Sequence, residues 1–250
     1  MPSAETLPLL LKELRLSTMV KTLEEIIDAA HSKDWSHKKC LAVLCEKEIS
    51  ARHSKRIQRY IKESKLPSGK TLATFDFKCA KAVNKTHIHA LAENNSWIEK
   101  AENLILFGPS GVGKSHIAAA IGHALIDQGI RCLFTPTTNL VQQLQLARKE
   151  YRLPDAMHKL DKYALLILDD IGYAKKDESE TNVLFELISH RYETGSIIIT
   201  ANQPFSDWDK VFPDSMMAVA AIDRLVHHAT IINIQDESYR KKAAASKTSL

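Results

Sequence analysis

The sequence lacks the long apolar segments that place a chain in or across a membrane. None of its apolar runs approaches the roughly 18 residues that a membrane-spanning helix needs. The N-terminal residues 1–16 include Glu5 and Glu13, whereas a secretory signal is first basic and then apolar. We therefore expect a cytoplasmic protein with no membrane partner.

Cysteine is scarce as well. The four cysteines form no CxxC pair, so their spacing indicates neither a disulfide framework nor a zinc site; they are Cys40, Cys45, Cys79 and Cys132. We expect them to be small core residues in a reducing compartment. Apolar residues make up 44% and charged residues 26% of the chain, which is typical of a globular protein with one medium domain and a smaller one.

Positive charge is concentrated near the N-terminus, although the whole chain carries only +4. Residues 1–70 contain 14 Lys and Arg against 9 Asp and Glu, whereas residues 71–250 contain 20 against 21. Basic residues recur every three or four positions within 51–65 and would form one stripe on a helix: Arg52, Lys55, Arg56, Arg59 and Lys62. Such a stripe can follow the phosphates of duplex DNA without reading its sequence, although a solvated helix face has the same pattern.

The first 69 residues have helical patterning and no strand-like alternation. Ser17 or Thr18 could cap a first helix, and the apolar face behind them is formed by Met19, Leu23, Ile26, Ile27 and Ala30. A second helix is predicted from about 36 to 65, and the sequence LPSG at 66–69 ends it. We predict a small all-α domain over 1–69, which would bind DNA or a partner.

Residues 70–101 are predicted to form a connector, in which Phe75 and Phe77 pack onto the next domain. Short β-branched runs then alternate with helical patterns, which predicts an α/β fold with a parallel five-stranded sheet flanked by helices. The predicted strands are NLILF (103–107), RCLFT (131–135), ALLILD (164–169), SIIIT (196–200) and TIINI (230–234). We assign 102–240 to this core domain and 241–250 to a disordered tail.

The stretch GPSGVGKS follows the first predicted strand and opens a helix, and it fits the phosphate-binding pattern G-x-x-x-x-G-K-[ST] without a mismatch. Its three glycines let backbone N–H groups curve around phosphate oxygens. Lys114 would reach the β- and γ-phosphates of ATP, and the Ser115 hydroxyl would bind Mg²⁺. The predicted nucleotide-binding residues are Gly108, Pro109, Ser110, Gly111, Val112, Gly113, Lys114, Ser115, His116 and, from a later strand, Asp169.

Polar residues follow the third and fourth predicted strands. Asp169 and Asp170 end an apolar strand in the arrangement known as Walker B. Asp169 is therefore predicted to hold Mg²⁺, and Asp170 to orient or deprotonate the attacking water. Asn202 ends the next strand and could hydrogen-bond the same water or the γ-phosphate. Asp170 could instead merely cap a turn, and Asn202 could start one.

Two further features lie shortly before the last predicted strand. Arg224 could reach the γ-phosphate of a neighbouring subunit as an arginine finger, or it could form a surface pair with Asp223. His227 and His228 could suggest a metal ion. Adjacent residues point to different faces of a helix, however, so we interpret both histidines as ordinary surface residues.

Several phrases together resemble one family: KTLATFDF, GPSGVGKSHIAAAIG, LLILDDIGY, RYETGSIIITANQPFSDWDKVFPD, AIDRLVHHATIINI and ESYR. The chain resembles the IstB-like transposition helper ATPases, in the AAA+ branch that also contains the DnaC-type helicase loaders. The resemblance covers nearly the full length. The combination of NQPFSDW with DRLVHHA and SYR is far more specific than the phosphate loop alone.

The resemblance implies an ASCE-type AAA+ core, and because the sequence ends soon after the fifth predicted strand we expect no full lid domain. The resemblance also implies roles for matching residues: Walker A for Lys114 and Ser115, Walker B for Asp169 and Asp170, sensor 1 for Asn202, and the arginine finger for Arg224. Arg240 falls in a terminal motif that would approach the nucleotide. Asp170 stands where AAA+ proteins usually have Glu, which is compatible with slow hydrolysis. Asp236 stands where the family usually has Gly, which affects the expected local turn.

The resemblance further implies an ATPase that uses Mg²⁺, assembles as a homo-oligomer on duplex DNA and recruits a transposase. The alternative is a helicase loader, whose partner would be a replicative helicase. A P-loop kinase would need an acceptor pocket and an arginine-bearing lid, and the sequence indicates neither. A DNA-binding scaffold with purely structural nucleotide would not need Asp170.

Overall fold

The computed structural model describes residues 4–80, 82–171, 178–203, 215–236 and 238–239. The chain divides into two compact units, Met1–Arg59 and Tyr60–Leu250. The sequence predicts a domain boundary after residue 69, which is ten residues later than this division. The predicted domain limits therefore stay a prediction. The predicted tail at 241–250 and Arg240 lie outside the described residues.

Three α-helices form the N-terminal unit, and the last of them extends beyond it: α1 (Leu7–Glu13), α2 (Ser17–Ser32) and α3 (His37–Ser64). A short 3₁₀ turn, Ala4–Thr6, precedes α1. The core of this unit is small and consists of Met19, Leu23, Ile26 and Leu44. The predicted apolar face of α2 is therefore confirmed for its central residues, because these are the ones that pack against α3.

The start of α2 is capped by a residue that is distant in sequence. The prediction of Ser17 or Thr18 as the cap is wrong, because no neighbouring side chain caps this helix. The carboxylate of Glu48 on α3 instead accepts hydrogen bonds from the backbone N–H groups of Thr18 (2.7 Å) and Met19 (3.0 Å). Burial raises the pKa of Glu48, but hydrogen bonds from Arg52, Met19 and Thr18 outweigh burial and hold the pKa below its usual value.

The second unit contains a five-stranded, wholly parallel sheet in the order β2-β3-β4-β1-β5. The strands are β1 (Asn103–Phe107), β2 (Cys132–Pro136), β3 (Leu165–Asp169), β4 (Ser196–Ala201) and β5 (Ala229–Asn233). The first four are almost wholly buried. Buried parallel strands need helices on both faces. The predicted α/β fold is thus confirmed, and each predicted strand lies within one residue of an observed one.

Helices cover both faces of this sheet: α4 (Lys85–Glu93), α5 (Ser96–Glu99), α6 (Lys114–Asp127), α7 (Thr137–Lys149), α8 (Leu153–Asp161), α9 (Glu178–Arg191) and α10 (Ser215–Val226). Because side chains alternate along a strand, Ile105 and Phe107 face the core formed with α7 to α10. On the other face α6 lies so close that a Cβ at Gly122 would come within 2.8 Å of Ile167. Among the described residues, no helix is both long and apolar enough to cross a membrane.

Candidate functional site

Strand order brings the polar residues predicted from separate stretches to one edge of the sheet. Strand β4 lies between β1 and β3, and all three run parallel. Their carboxyl ends therefore meet at the same edge, where ligands bind in open α/β sheets. The loop that follows β1, the acids that end β3 and Asn202 after β4 all line one cavity of about 490 Å³.

The phosphate loop needs glycine for two reasons, conformation and space. Gly111 and Gly113 have φ angles of 86° and 101°, in the region that side chains disfavour. A Cβ at Gly113 would lie 2.7 Å from the ring of Phe75, and one at Gly111 would collide with the Ser238 hydroxyl. Gly113 directly precedes α6, whose positive N-terminal end is a site for anions. The loop thus has the backbone geometry of a phosphate cradle.

Lys114 and Asn202 join the phosphate loop to the second acid. The Lys114 ammonium is buried and donates hydrogen bonds to the carbonyls of Gly108 (2.6 Å) and Pro109 (2.8 Å) and to Oδ1 of Asn202 (2.7 Å). Asn202 in turn donates from Nδ2 to Oδ1 of Asp170 at 3.0 Å. Three side chains that are far apart in the sequence therefore form one hydrogen-bonded series, Lys114–Asn202–Asp170.

Thr200 holds both acids, a role that the sequence analysis missed. Its hydroxyl donates to Oδ1 of Asp169 at 2.6 Å and accepts the backbone N–H of Asp170 at 2.8 Å. Thr200 is 1% exposed, and Asp170 has a φ of 62°, a left-handed conformation that this hydrogen bond helps to hold. The signal in the sequence was a threonine two residues before Asn202, but its partners depend on the pairing of β3 with β4.

The residues around Thr71–Phe75 pack against the beginning of α6. Nε2 of His116 lies 3.0 Å from the Thr71 carbonyl oxygen, and its ring meets the Phe75 ring edge-on at 5.1 Å. Burial lowers the pKa of His116, which favours a neutral imidazole. The predicted packing of Phe75 onto the core is confirmed, and Phe77 packs against Phe75. The imidazole of His116 is thus a contact to the connector.

Two described residues after β5, Asp236 and Tyr239, also line the cavity. Tyr239 donates its backbone N–H to the Gly111 carbonyl at 3.0 Å, and Oδ2 of Asp236 accepts the N–H of Ala82 at 2.8 Å. Asp236, the departure from the family pattern, is therefore a hydrogen-bond acceptor that joins this segment to the connector. The family resemblance implies that the terminal motif around Arg240 approaches the nucleotide, whereas the position of the connector at the cavity was not predicted.

Arg224 does not line this cavity. Its guanidinium lies 5.0 Å from the centre of the Phe185 ring and donates to the Ala220 carbonyl at 3.1 Å. His227 and His228 lie beyond the end of α10, so the helical-face argument does not apply to them, and their rings are 4.0 Å apart. Both are exposed, as predicted.

The basic stripe on α3 is solvent-exposed throughout, at Arg52, Lys55, Arg56, Arg59 and Lys62. Arg52 differs from the others because it donates to Glu48 at 2.8 Å and to the Arg15 carbonyl at 2.7 Å. These bonds make Arg52 part of the N-terminal fold.

The prediction that all cysteines are core residues is wrong for Cys79, which is exposed and lines the cavity. Cys132 is buried, and burial raises the pKa of its thiol to about 12.

The fold and the cavity define a P-loop nucleotide-binding protein of AAA+ type. In fold, the chain is similar to the DnaC helicase loader (TM-score 0.55, 21% identity, 70% of this chain and 98% of that one). It is also similar to AMPPCP-bound DnaA from Aquifex aeolicus (TM-score 0.57, 19% identity, 74% and 56%).

Residues 9–247 match the model of the IstB-like ATP binding proteins, and the chain belongs to this family. It is 51% identical over 238 residues to an insertion-sequence ATP-binding protein of Sinorhizobium fredii, covering 95% of this chain and 80% of that protein. It is 37% identical to the ATP-binding protein of insertion sequence IS21 from Pseudomonas aeruginosa, with 94% and 89% covered. The predicted family, the IstB-like ATP-binding proteins, is thereby confirmed.

Proposed function

We propose that this protein binds and hydrolyses ATP, and that the ATP-bound form assembles on duplex DNA and recruits a transposase. The observation that carries the proposal is the hydrogen-bonded series Lys114–Asn202–Asp170 at the carboxyl ends of β1, β4 and β3. Membership of the IstB-like family supports ATP as the nucleotide. The names of the relatives support an insertion sequence as the setting.

The reaction that fits these residues is in-line attack of water on the γ-phosphate. The loop amides and Lys114 bind the phosphates, and the Asp170 carboxylate accepts a proton from the attacking water. Asn202 contacts both Lys114 and Asp170. A bound γ-phosphate would attract the Lys114 ammonium away from Oδ1 of Asn202. Because Nδ2 of the same amide donates to Asp170, the Asn202 side chain can link occupancy of the site to the position of Asp170.

Ser115 and Asp169 are the residues that would hold Mg²⁺. Both line the cavity, and hydroxyl and carboxylate oxygens are ligands that Mg²⁺ prefers. When bound, the ion supplies positive charge against the phosphate oxygens. The Thr200 hydroxyl fixes one carboxylate oxygen of Asp169, which restricts the direction in which the other can point.

The cavity also has a side suited to the rest of the nucleotide. Phe75, Cys79 and Ala80 of the connector and Tyr239 after β5 line it together with the phosphate loop. We assign the base to these residues, because a purine needs apolar and aromatic neighbours, which Phe75 and Tyr239 supply. Similarity to DnaC concerns the fold alone, so we propose a transposase as the partner. In a pull-down with this protein as bait, recovery of a replicative helicase in place of a transposase would favour the loader alternative.

The test of the ATPase proposal separates binding from hydrolysis. Lys114→Ala should weaken ATP binding by at least about 10-fold, because it removes a charged hydrogen-bond donor. Asp170→Asn should bind ATP normally and hydrolyse it about 100-fold more slowly. Binding is measured with a fluorescent ATP analogue and hydrolysis by phosphate release.

Two exposed residues of the same unit provide matched controls, Lys149→Ala and Asp155→Asn. Neither lines the cavity, so both variants should behave as the parent protein does. Normal hydrolysis by Asp170→Asn would refute the assignment of this carboxylate. The scaffold alternative, in which nucleotide is structural, predicts instead that Asp170→Asn leaves DNA binding and partner recruitment intact.

A further inference from the structure

A cluster of three metal-ligating side chains lies outside the nucleotide site, at the ends of α8 and α9. His158 and Asp161 are on α8 and His190 is on α9. Nδ1 of His158 lies 3.1 Å from Oδ2 of Asp161, and Nε2 of His190 lies 2.7 Å from Oδ1 of the same carboxylate. The three donor atoms all lie within 4.8 Å of one another.

We propose that His158, Asp161 and His190 bind one divalent transition-metal ion, and that Zn²⁺ is the ion they suit best. Two imidazole nitrogens and a carboxylate oxygen are a donor set of zinc sites, whereas Mg²⁺ and Ca²⁺ prefer oxygen alone. Zinc–ligand bonds of about 2.0–2.1 Å place tetrahedral ligands roughly 3.3 Å apart. The two nitrogens lie 3.1 and 2.7 Å from different oxygens of Asp161, and the three donor atoms lie within 4.8 Å of one another, so the side chains need to draw together around the ion to reach that spacing.

The backbone around the cluster is held by a buried neighbour. Arg191, the residue after His190, donates to the carbonyls of Tyr163 (2.8 Å), Ala164 (2.9 Å) and Ser196 (3.1 Å). These bonds fix the end of α9 against the residues that follow α8. The ligands are therefore presented by elements whose relative position is already set, which lowers the entropy that metal binding must offset.

The position of the cluster predicts what the ion would do. It lies beside the amino ends of β3 and β4, whereas Asp169 ends β3 and Asn202 follows β4 at their carboxyl ends. A five-residue strand separates the two sites by roughly 16 Å. An ion that joins α8 to α9 would therefore stabilise the fold without entering the nucleotide site.

The full chain, purified without a polyhistidine tag and freed of metal by EDTA, is titrated with zinc sulfate at pH 7.5. We expect one Zn²⁺ per chain at micromolar free zinc and a rise in Tm of about 5 °C at a hundredfold excess over Kd. Co²⁺ in the same site should show the visible absorption bands of tetrahedral coordination.

His158→Gln and His190→Gln should each lower the zinc affinity by more than about 10-fold, since even loss of an outer hydrogen-bond partner has that effect. His158 is 72% exposed, so its variant tests binding without disturbing the core. His227→Gln is the matched control, because a second group, Glu193, His227 and His228, could also hold a metal. Absence of Zn²⁺ binding, or its loss in His227→Gln alone, would overturn the proposal.

Discussion

The hydroxyl of Thr200 is the smallest group on which the proposed chemistry depends. It contacts the carboxylate of Asp169 and the backbone of Asp170 at the same time, and it is buried. Removing this hydroxyl takes a hydrogen bond from both partners, and a buried donor left unsatisfied costs about 1–3 kcal/mol of stability. Here the unsatisfied partner would be the N–H of Asp170, next to the carboxylate assigned to water.

Thr200→Val should lower kcat for ATP hydrolysis by about 10-fold or more with little change in the KM for ATP, because it disturbs the acids and leaves Lys114 in place. Thr200→Ser keeps the hydroxyl and should restore kcat. Steady-state phosphate release over a range of ATP concentrations measures both constants. Thr135→Val is the control, since Thr135 is also a buried strand threonine but bonds only to a local carbonyl. Equal kcat in Thr200→Val and the parent would contradict the positioning role.

At the residue scale, the candidate site residues could be named from the sequence, but several of their hydrogen-bond partners could not. The pattern G-x-x-x-x-G-K-[ST] specifies two glycines, the lysine and the hydroxyl residue of the loop, because the curvature around a phosphate admits few alternatives. The roles of Thr200 and Asp236 are different. Each depends on a neighbour more than 29 positions away in sequence, Asp169 and Asp170 for the first and Ala82 for the second. No local pattern encodes such a pair.

At the scale of elements, strands were easier to predict than their order. Short runs of Leu and Ile are unmistakable when both faces of a sheet are covered. The position of β4 between β1 and β3 follows instead from packing of the whole unit. The cap of α2 was predicted wrongly for the same reason: Glu48 reaches Thr18 and Met19 from another helix, and tertiary contacts override the local capping preference.

The stripe on α3 predicts a graded loss of DNA affinity. Lys55→Gln with Arg56→Gln should reduce the slope of log K against log salt by about 2, because each lost phosphate contact removes about 0.9. Arg52→Gln should change this slope less and lower Tm, because Arg52 bonds to Glu48 and Arg15. Fluorescence anisotropy of a labelled duplex, at several salt concentrations and with an ATP analogue, measures the slope.

Lys12→Gln with Lys21→Gln provides the matched control for this experiment. Both lysines are exposed and belong to the same unit, but they are on α1 and α2 and not on the stripe. Net charge changes equally in the two double variants. An equal loss of slope in both would show that the charge of the unit, and not the stripe, attracts DNA.

At the scale of the whole molecule, the described lining of the nucleotide cavity includes two lysines, Lys70 and Lys114, and no arginine. Lys114 is the lysine that the proposed reaction places on the β- and γ-phosphates, and Arg224 packs on Phe185 without lining the cavity. An arginine supplied by a neighbouring subunit commonly completes such sites. Arg224 is the residue that the family resemblance implies for this role, and the proposed homo-oligomer gives it a γ-phosphate to reach.

A mixing experiment tests whether Arg224 acts on a neighbour. Arg224→Ala keeps the phosphate loop and loses the finger, whereas Lys114→Ala loses the loop lysine and keeps the finger. Each variant alone should be nearly inactive. If subunits associate at random, an equal mixture should regain about one quarter of the parent ATPase activity, because one in four interfaces pairs an intact loop with an intact finger.

The same mixture distinguishes this arrangement from a site completed within one chain. Arg224→Lys serves as a second variant, because it keeps a cation over Phe185 but lacks the planar fork of arginine, and it should also be complemented. A mixture whose activity equals the mean of the two separate variants would show that each chain completes its own site. Activity retained by Arg224→Ala alone would remove the finger from the reaction and leave the oligomer without a role in hydrolysis.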